Sequence, residues 1–442
     1  MRTWTTVAHA CAWLALTTPA VAGHGSTTPA YTSHGDPALG ALITETLARN
    51  PRIQQVGARH VAARHGVRQA TALPDPMLTF TRHVAPVETR LGPQINGVAL
   101  RQDLPWFGKR TERGQVAEWE ASATKHDIDA VTAETVRQVK HAYFELGYLD
   151  RAVDIADEES QLLRHYETLA RARYSQGVGF QQAVVKLQAE ITRVLTRRHE
   201  FRRQRVEAES VLNALRDRPV DLALPKVGLE ARPPFEIEHD RLASLGREHR
   251  AEVRAAKARI QGAESAVRLS RRAHWPDVVV GASWGEIEGR RDAAGRAQPP
   301  VDNGQDVFSV SLGVNIPIYQ SALKAGTAAA AARVRAAERA HREALRRVDQ
   351  EVRTATSDLV AIDDQIGLLE RALLPQAEQA LSTTEEAYTA GTVGVLELLD
   401  SEEVLLDVRL GLARLQADYM QALADLERAI GTALPRTTGA RP

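Results

Sequence analysis

Two stretches of this chain, roughly 210 residues apart, follow one plan, and the plan mixes features that rarely occur together. Each copy opens with a helical segment ending in a Pro-Asp step, Leu73-Pro74-Asp75 in the first and Trp275-Pro276-Asp277 in the second. A strand pair follows, closing at Asp103-Leu104-Pro105 and at Asn315-Ile316-Pro317. A very long helical pattern then runs to a tyrosine-glycine turn, Tyr174-Ser175-Gln176-Gly177 or Tyr388-Thr389-Ala390-Gly391, and one more amphipathic helix completes the copy. Internal repetition fixes architecture before any motif does. One chain supplies two similar sectors of a larger symmetric object.

From Lys109 to Arg173 no proline interrupts a pattern of about 64 residues, on the order of 95 Å as a helix. Thr135, Val139, Ala142, Leu146, Leu149, Val153, Ala156, Ser160 and Leu163 alternate three- and four-residue steps. In the second copy, Ser321 to Glu386 keeps the same steps through Val348, Val352, Ala355, Leu359, Ile362 and Ile366. A period of 3.5 predicts left-handed coiled-coil contacts. After Gly394 two stripes run side by side, Val395-Leu398-Leu405-Leu412-Tyr419-Leu426 and Leu396-Leu399-Leu406-Leu410-Ala413-Ala417-Met420. A helix with two apolar seams has two neighbours. By length, Phe180–Arg216 with His249–Arg272 would line one long helix, and Ile53–Leu73 with Val395–Gly431 the other. The proline-rich break from Pro219 to Pro234 reads as a girdle at mid-length.

The strands narrow the choice. Phe308, Val310, Leu312, Val314 and Ile316 alternate with Val307, Ser309, Ser311, Gly313 and Asn315. Val278, Val280, Ala282 and Trp284 do the same, as do Val98, Leu100 and Leu104, while Met77–Val84 alternates less cleanly. Segments of about ten residues suit tilted strands crossing an outer membrane. Four strands cannot close a barrel, whose smallest examples have about eight, and lipid tolerates no open edge. Several chains must pool their strands, or else two hairpins stand beside a soluble coiled-coil scaffold. Glu286–Gln305, Gly-rich and charged, reads as an external loop. Lys109 and Arg110, just after the second strand, suit a headgroup layer at the membrane interface.

Arg2, the apolar run Val7–Leu16 and Ala20-Val21-Ala22 read as a secretory signal over residues 1–22. The single cysteine, Cys11, falls inside it without a lipoprotein-type leucine before it, so no lipid anchor, disulfide or thiolate site is expected. A net charge of zero argues against a nucleic-acid partner. The remaining organisation is a first repeat over 23–216, an equatorial segment over 217–247 and a second repeat over 248–442. No catalytic constellation is legible and no cofactor is implied. His60, His65, His24 and His34 are scattered, without the three or four convergent ligands a metal site needs.

Across the whole mature length, the duplicated order, the run Tyr388-Thr389-Ala390-Gly391-Thr392-Val393-Gly394-Val395-Leu396-Glu397-Leu398-Leu399-Asp400 and the run Asp425–Thr432 resemble the TolC-type outer-membrane efflux proteins. The resemblance implies a mainly α fold with a small β part. A long α-helical coiled-coil barrel would continue from four transmembrane β-strands per chain, closed as a twelve-stranded barrel in a homotrimer. It further implies outer-membrane lipid around the strands, a periplasmic adaptor at the helical tip and an inner-membrane pump. Leu73–Met77 and Gln102–Arg110 look most like the branch serving heavy-metal exporters with pumps of the resistance-nodulation-division type. Drug efflux and type I secretion ducts share the fold.

Three sets of residues follow as candidates. Tyr174, Gln176, Gly177, Gly179, Tyr388, Gly391, Thr392 and Gly394 would form the adaptor-docking tips, the glycines permitting tight reversals. Glu397 and Asp400, three apart on one helix face, are implied to ring the periplasmic constriction, although the helix dipole alone would also favour them there. The family's partner arginine two residues after the turn glycine is here Val393. Pro375 would bend the second long helix roughly 20 Å above its turn.

Overall fold

A computed structural model describes residues 36–229, 232–233 and 238–434. The expected signal, its Cys11, and His24 and His34 lie outside those residues. Each repeat opens with a helix pair broken at one residue. Helices α1 (Pro37–Arg49) and α2 (Pro51–Thr71) meet at Asn50. Asp36-Pro37 and Asn50-Pro51 each put a capping side chain before a proline whose missing N–H costs nothing in the first turn. The Asn50 side-chain oxygen accepts from the N–H groups of Arg52 and Ile53 at 3.0 and 3.1 Å, and its side-chain amide donates to the Leu215 carbonyl at 2.8 Å.

Strands β1 (Met77–Arg82), β2 (Glu88–Thr89) and β3 (Gly92–Leu104) lead into α3 (Lys109–Ser175), 67 residues or about 100 Å long. Helix α4 (Gln181–Leu215) returns beside it. The second repeat repeats the order: α5 (His239–His249) and α6 (Ala251–Arg272) broken at Arg250, β4 (Asp277–Ile287), the short α7 (Ala293–Ala297) and β5 (Val307–Asn315). Helix α8 (Gln320–Leu368), a π-helical turn (Leu369–Leu373), α9 (Leu374–Ala390) and α10 (Val395–Ile430) complete it.

The long-helix stripes are buried where the 3.5-residue period places them. On α3, Thr135, Val139, Leu146, Leu149, Ala156 and Leu163 are buried, and on α8 Val348, Val352, Leu359 and Ile366. Helices α6 and α4 line α3 in succession. Arg268 and Arg259 of α6 pair with Glu112 and Asp127, whereas Arg205 and Arg198 of α4 pair with Asp150 and Asp157. Both seams of α10 are used, one against α3 and one against α8 and α9. The expected partner for the other long helix is corrected in one respect. Helix α2 lies along the first turns of α3, with Arg110 donating to the Thr71 carbonyl at 2.9 and 2.6 Å and His60 bonded to the Ala121 carbonyl at 3.0 Å.

Helices α1 and α5 are absent from the sequence reading, which starts at Ile53 and His249. Each buries only three residues, Leu39, Ile43 and Thr46 or Leu242, Ala243 and Gly246, too few to stand out as a stripe. The proline-rich segment lies beside Asp150, near the midpoint of α3, and buried carboxylates hold it there. Asp150 accepts from the Val227 N–H at 2.9 Å, and Glu209 from the Leu224 N–H at 2.9 Å.

Candidate functional site

The four long strands form one antiparallel sheet in the order β1-β3-β4-β5, with β2 added to β3. Register decides which side chains share a face. Leu78 and Phe80 stand opposite Leu100 and Val98, which meet Ala282 and Trp284, which in turn meet Val310 and Phe308. Leu104, Val278 and Val314 extend the row at one end, and Val280 and Leu312 fill its centre. One face is therefore apolar across all four strands except at Gln102, opposite Val280, and Phe80, Phe308, Val310 and Leu312 are each at least two-thirds exposed. The opposite face carries Thr79, Thr81, Ala99, Arg101, Asp103, Gly281, Ser283, Ser309, Ser311 and Gly313, with the Ser283 and Ser309 hydroxyls 2.7 Å apart. Neither β1 nor β5 has a strand on its outer edge among the described residues. Large apolar side chains exposed on such a face are costly in water and favourable in lipid.

Where the sheet joins the helices, Trp106 and Trp275 stack with ring centroids 5.8 Å apart, and Phe107 stands exposed beside them. The pair expected at the membrane interface divides. Lys109 is buried, and its ammonium donates to Asp277 and to the Trp275 carbonyl, both at 2.7 Å. Its role is corrected from headgroup contact to tying the two repeats together. The Asp of the second Pro-Asp step is its counter-charge and also accepts from the Trp106 N–H at 2.8 Å. Arg110 remains exposed at its base.

At the far end the two turns are built alike. Gly177 and Gly391 take the left-handed backbone, φ 76° and 80°. In each, the glycine N–H donates to the tyrosine carbonyl three residues back, at 3.0 and 3.1 Å. The following N–H reaches the carbonyl five back, Val178 to Arg173 at 3.1 Å and Thr392 to Ala387 at 3.0 Å. These paired bonds satisfy orphan carbonyls at a helix end. Gly179 is needed for space, since a Cβ there would lie 3.0 Å from the Arg173 side chain. The turns touch each other through Arg173, which sequence reading passed over. Its guanidinium donates to the Thr389 carbonyl at 2.7 Å and sits 4.9 Å from the centre of the Tyr388 ring. Tyr388 is consequently buried, while Tyr174, Val178 and Phe180 project. Gln176 and Thr392 are exposed, and the Thr392 hydroxyl donates to the Ala387 carbonyl at 3.0 Å.

Glu397 and Asp400 are both exposed on the first turns of α10, and neither carboxylate has an ion pair among the described residues. Glu397 folds back over Gly394, its Oε2 lying 2.9 Å from where a Cβ would be, so it also covers the positive helix end. Val393 packs into the tip core where the family resemblance led one to look for arginine. Pro375 sits at the start of α9, directly after the π turn. A proline leaves the carbonyl four residues earlier without its donor, and the wider π spacing absorbs the mismatch. Arg371 adds a bond from Nε to the Gly367 carbonyl at 3.0 Å.

The chain thus carries a four-stranded sheet with one exposed apolar face at one end and two long helical hairpins at the other. The profile of the outer membrane efflux protein family matches residues 42–216 and 242–432, and the chain belongs to that family. That family is one of efflux proteins of the outer membrane. The cobalt-zinc-cadmium resistance protein CzcC of Cupriavidus metallidurans is 22% identical over 387 residues, 83% of each chain. The toxin and drug export protein A of Aggregatibacter actinomycetemcomitans is 21% identical over 196 residues, 42% of this chain and 40% of that protein. An uncharacterized Haemophilus influenzae protein, 24% identical, is likewise spanned over only 37% of its length. Among solved structures, the outer membrane protein VceC from Vibrio cholerae superposes with a TM-score of 0.74 at 22% identity, covering 90% of this chain and 97% of that one. At that identity the match speaks for the fold alone.

Proposed function

We propose that three copies of this chain close a twelve-stranded barrel and a helical duct, through which an inner-membrane pump and a periplasmic adaptor expel metal cations. The open sheet carries the reading. With four long strands per chain, β5 of one copy would run antiparallel to β1 of the next, so the alternation continues around a closed ring without a break. The continuous apolar face would then meet lipid, and the hydroxyl- and glycine-rich face would line water. Trp106, Phe107 and Trp275 would form part of an aromatic belt at the inner interface, and exposed Arg110 would meet headgroups.

The tips around Gly177 and Gly391 would dock the adaptor through the exposed Tyr174, Gln176, Val178 and Phe180. Three copies of Glu397 and Asp400 would set an acidic ring at the mouth, a device that favours cations in pores. The metal cargo rests on that charge and on the match to CzcC over most of both chains. Deletion of the gene tests it: the account expects sensitivity to divalent cobalt, zinc or cadmium with unchanged sensitivity to organic drugs. The reverse pattern would make the cargo organic and keep the duct.

A further inference from the structure

Within the seam that holds α10 against α3, two carboxyl groups face each other out of water. Glu159 of α3 is 7% exposed and Glu402 of α10 is 3% exposed. They approach closely enough to share a hydrogen bond once one of them carries a proton. The Glu402 Oε2 atom is fully buried, and no N–H or O–H group of the described residues donates to it. Two turns nearer the tip, the Tyr166 hydroxyl is buried in the same seam with no partner at hydrogen-bond distance, and the carboxylate it faces at longer range is Glu385 of α9. Of the other charged groups near Glu159, Glu190 of α4 adds negative charge and Arg409 of α10 offsets a little of it. Burial within one chain can only deepen on assembly. Leu398 and Leu405 pack on either side of Glu402, so the rest of the seam is dry.

We propose that Glu159 and Glu402 form a proton-binding site that latches the first turns of α10 to α3, so that losing the proton releases the hairpin bearing Glu397 and Asp400. Two carboxylates at contact in a dry seam repel strongly, and an unpaired buried charge is costly. Burial first, and Glu402 second, push the Glu159 carboxyl well above its ordinary range. The packed seam therefore keeps a proton that a released, hydrated pair would give up. Between the ordinary carboxylate value and the raised one the packed state binds more protons, so its stability falls as pH rises through that window and is complete only below it. That release opens the duct mouth rests on the reading under Proposed function; that the seam itself binds a proton does not.

Hydrogen exchange on the full-length, detergent-extracted protein reads the seam directly. After correction for intrinsic rates, protection across residues 395–410 should fall on the order of tenfold for each pH unit once the proton is being lost. Glu159→Gln and Glu402→Gln, each able to donate the missing hydrogen bond at nearly the same volume, should both hold protection flat and above wild type at alkaline pH. Glu397→Gln with Asp400→Asn should keep the wild-type slope, because those carboxylates lie outside the seam. A wild-type slope retained in either glutamine variant, or no slope in the wild type, overturns the latch. Conductance plays no part in the readout, so a failure of the duct reading would leave this result standing.

Discussion

Replacing Leu312 by arginine separates a lipid-facing strand from a soluble hairpin. Leu312 is 77% exposed, stands opposite Val280 and lies near the middle of β5, with Val310 and Val314 beside it on the same face. If that face meets hydrocarbon at mid-depth, an arginine there costs about 2–4 kcal/mol per chain. At about 1.4 kcal/mol per factor of ten, the equilibrium constant for folding into the membrane falls roughly thirty- to seven-hundred-fold per chain. Ser311, one residue away, points to the opposite face beside Gly281. Ser311→Arg should therefore be tolerated in water while Leu312→Arg depletes the oligomer. Heat-modifiable migration of outer-membrane fractions reads both. Equal losses for the two variants, or an unaffected Leu312→Arg protein in the soluble fraction, would refute the facing argument.

Four further outcomes follow from the helical end. Cysteines placed at Gln176 and Thr392 should crosslink to the adaptor, whereas crosslinks confined to the segment after Pro219 would move docking to the equator. Glu397→Gln with Asp400→Asn should lower cation preference in planar-bilayer recordings and weaken block by multivalent cations, and unchanged selectivity would reduce both residues to helix capping. Arg173→Ala removes a hydrogen bond and a cation–π contact between the turns, a loss of about 1–2 kcal/mol, and should raise hydrogen exchange at Thr389–Val393 without unfolding α3. Leu163→Ala, at a fully buried position in the tip core, should cost about 2–5 kcal/mol and lower the unfolding temperature.

Much of this fold can be read from spacing because its elements are long. Over 67 residues a 3.5-residue stripe outweighs individual exceptions, so the burial of Val139, Leu146 and Leu163 follows from periodicity alone. The alternation in β5 is similarly clean, and register then extends its apolar face through Val280 and Ala282 to Leu100. Short elements and pairings between repeats are not legible in this way. Helices α1 and α5 bury too little to announce themselves, although Asp36-Pro37 and Asn50-Pro51 are good capping signals in retrospect. The Lys109–Asp277 bond and the Arg173–Tyr388 contact join residues 168 and about 215 positions apart, which no local pattern specifies. Glu159 and Glu402 sit in ordinary charged stretches of their helices. Only the three-dimensional seam shows that they meet.

The central claim is that the free edges of β1 and β5 pair between chains. Cysteine pairs scanned along Met77–Arg82 and Val307–Asn315, oxidised in intact outer membranes and separated without reductant, test it most directly. The account predicts a ladder of linked monomer, dimer and trimer that ends at three chains, with no band beyond. Crosslinks formed within one chain, in a water-soluble monomer, would contradict it.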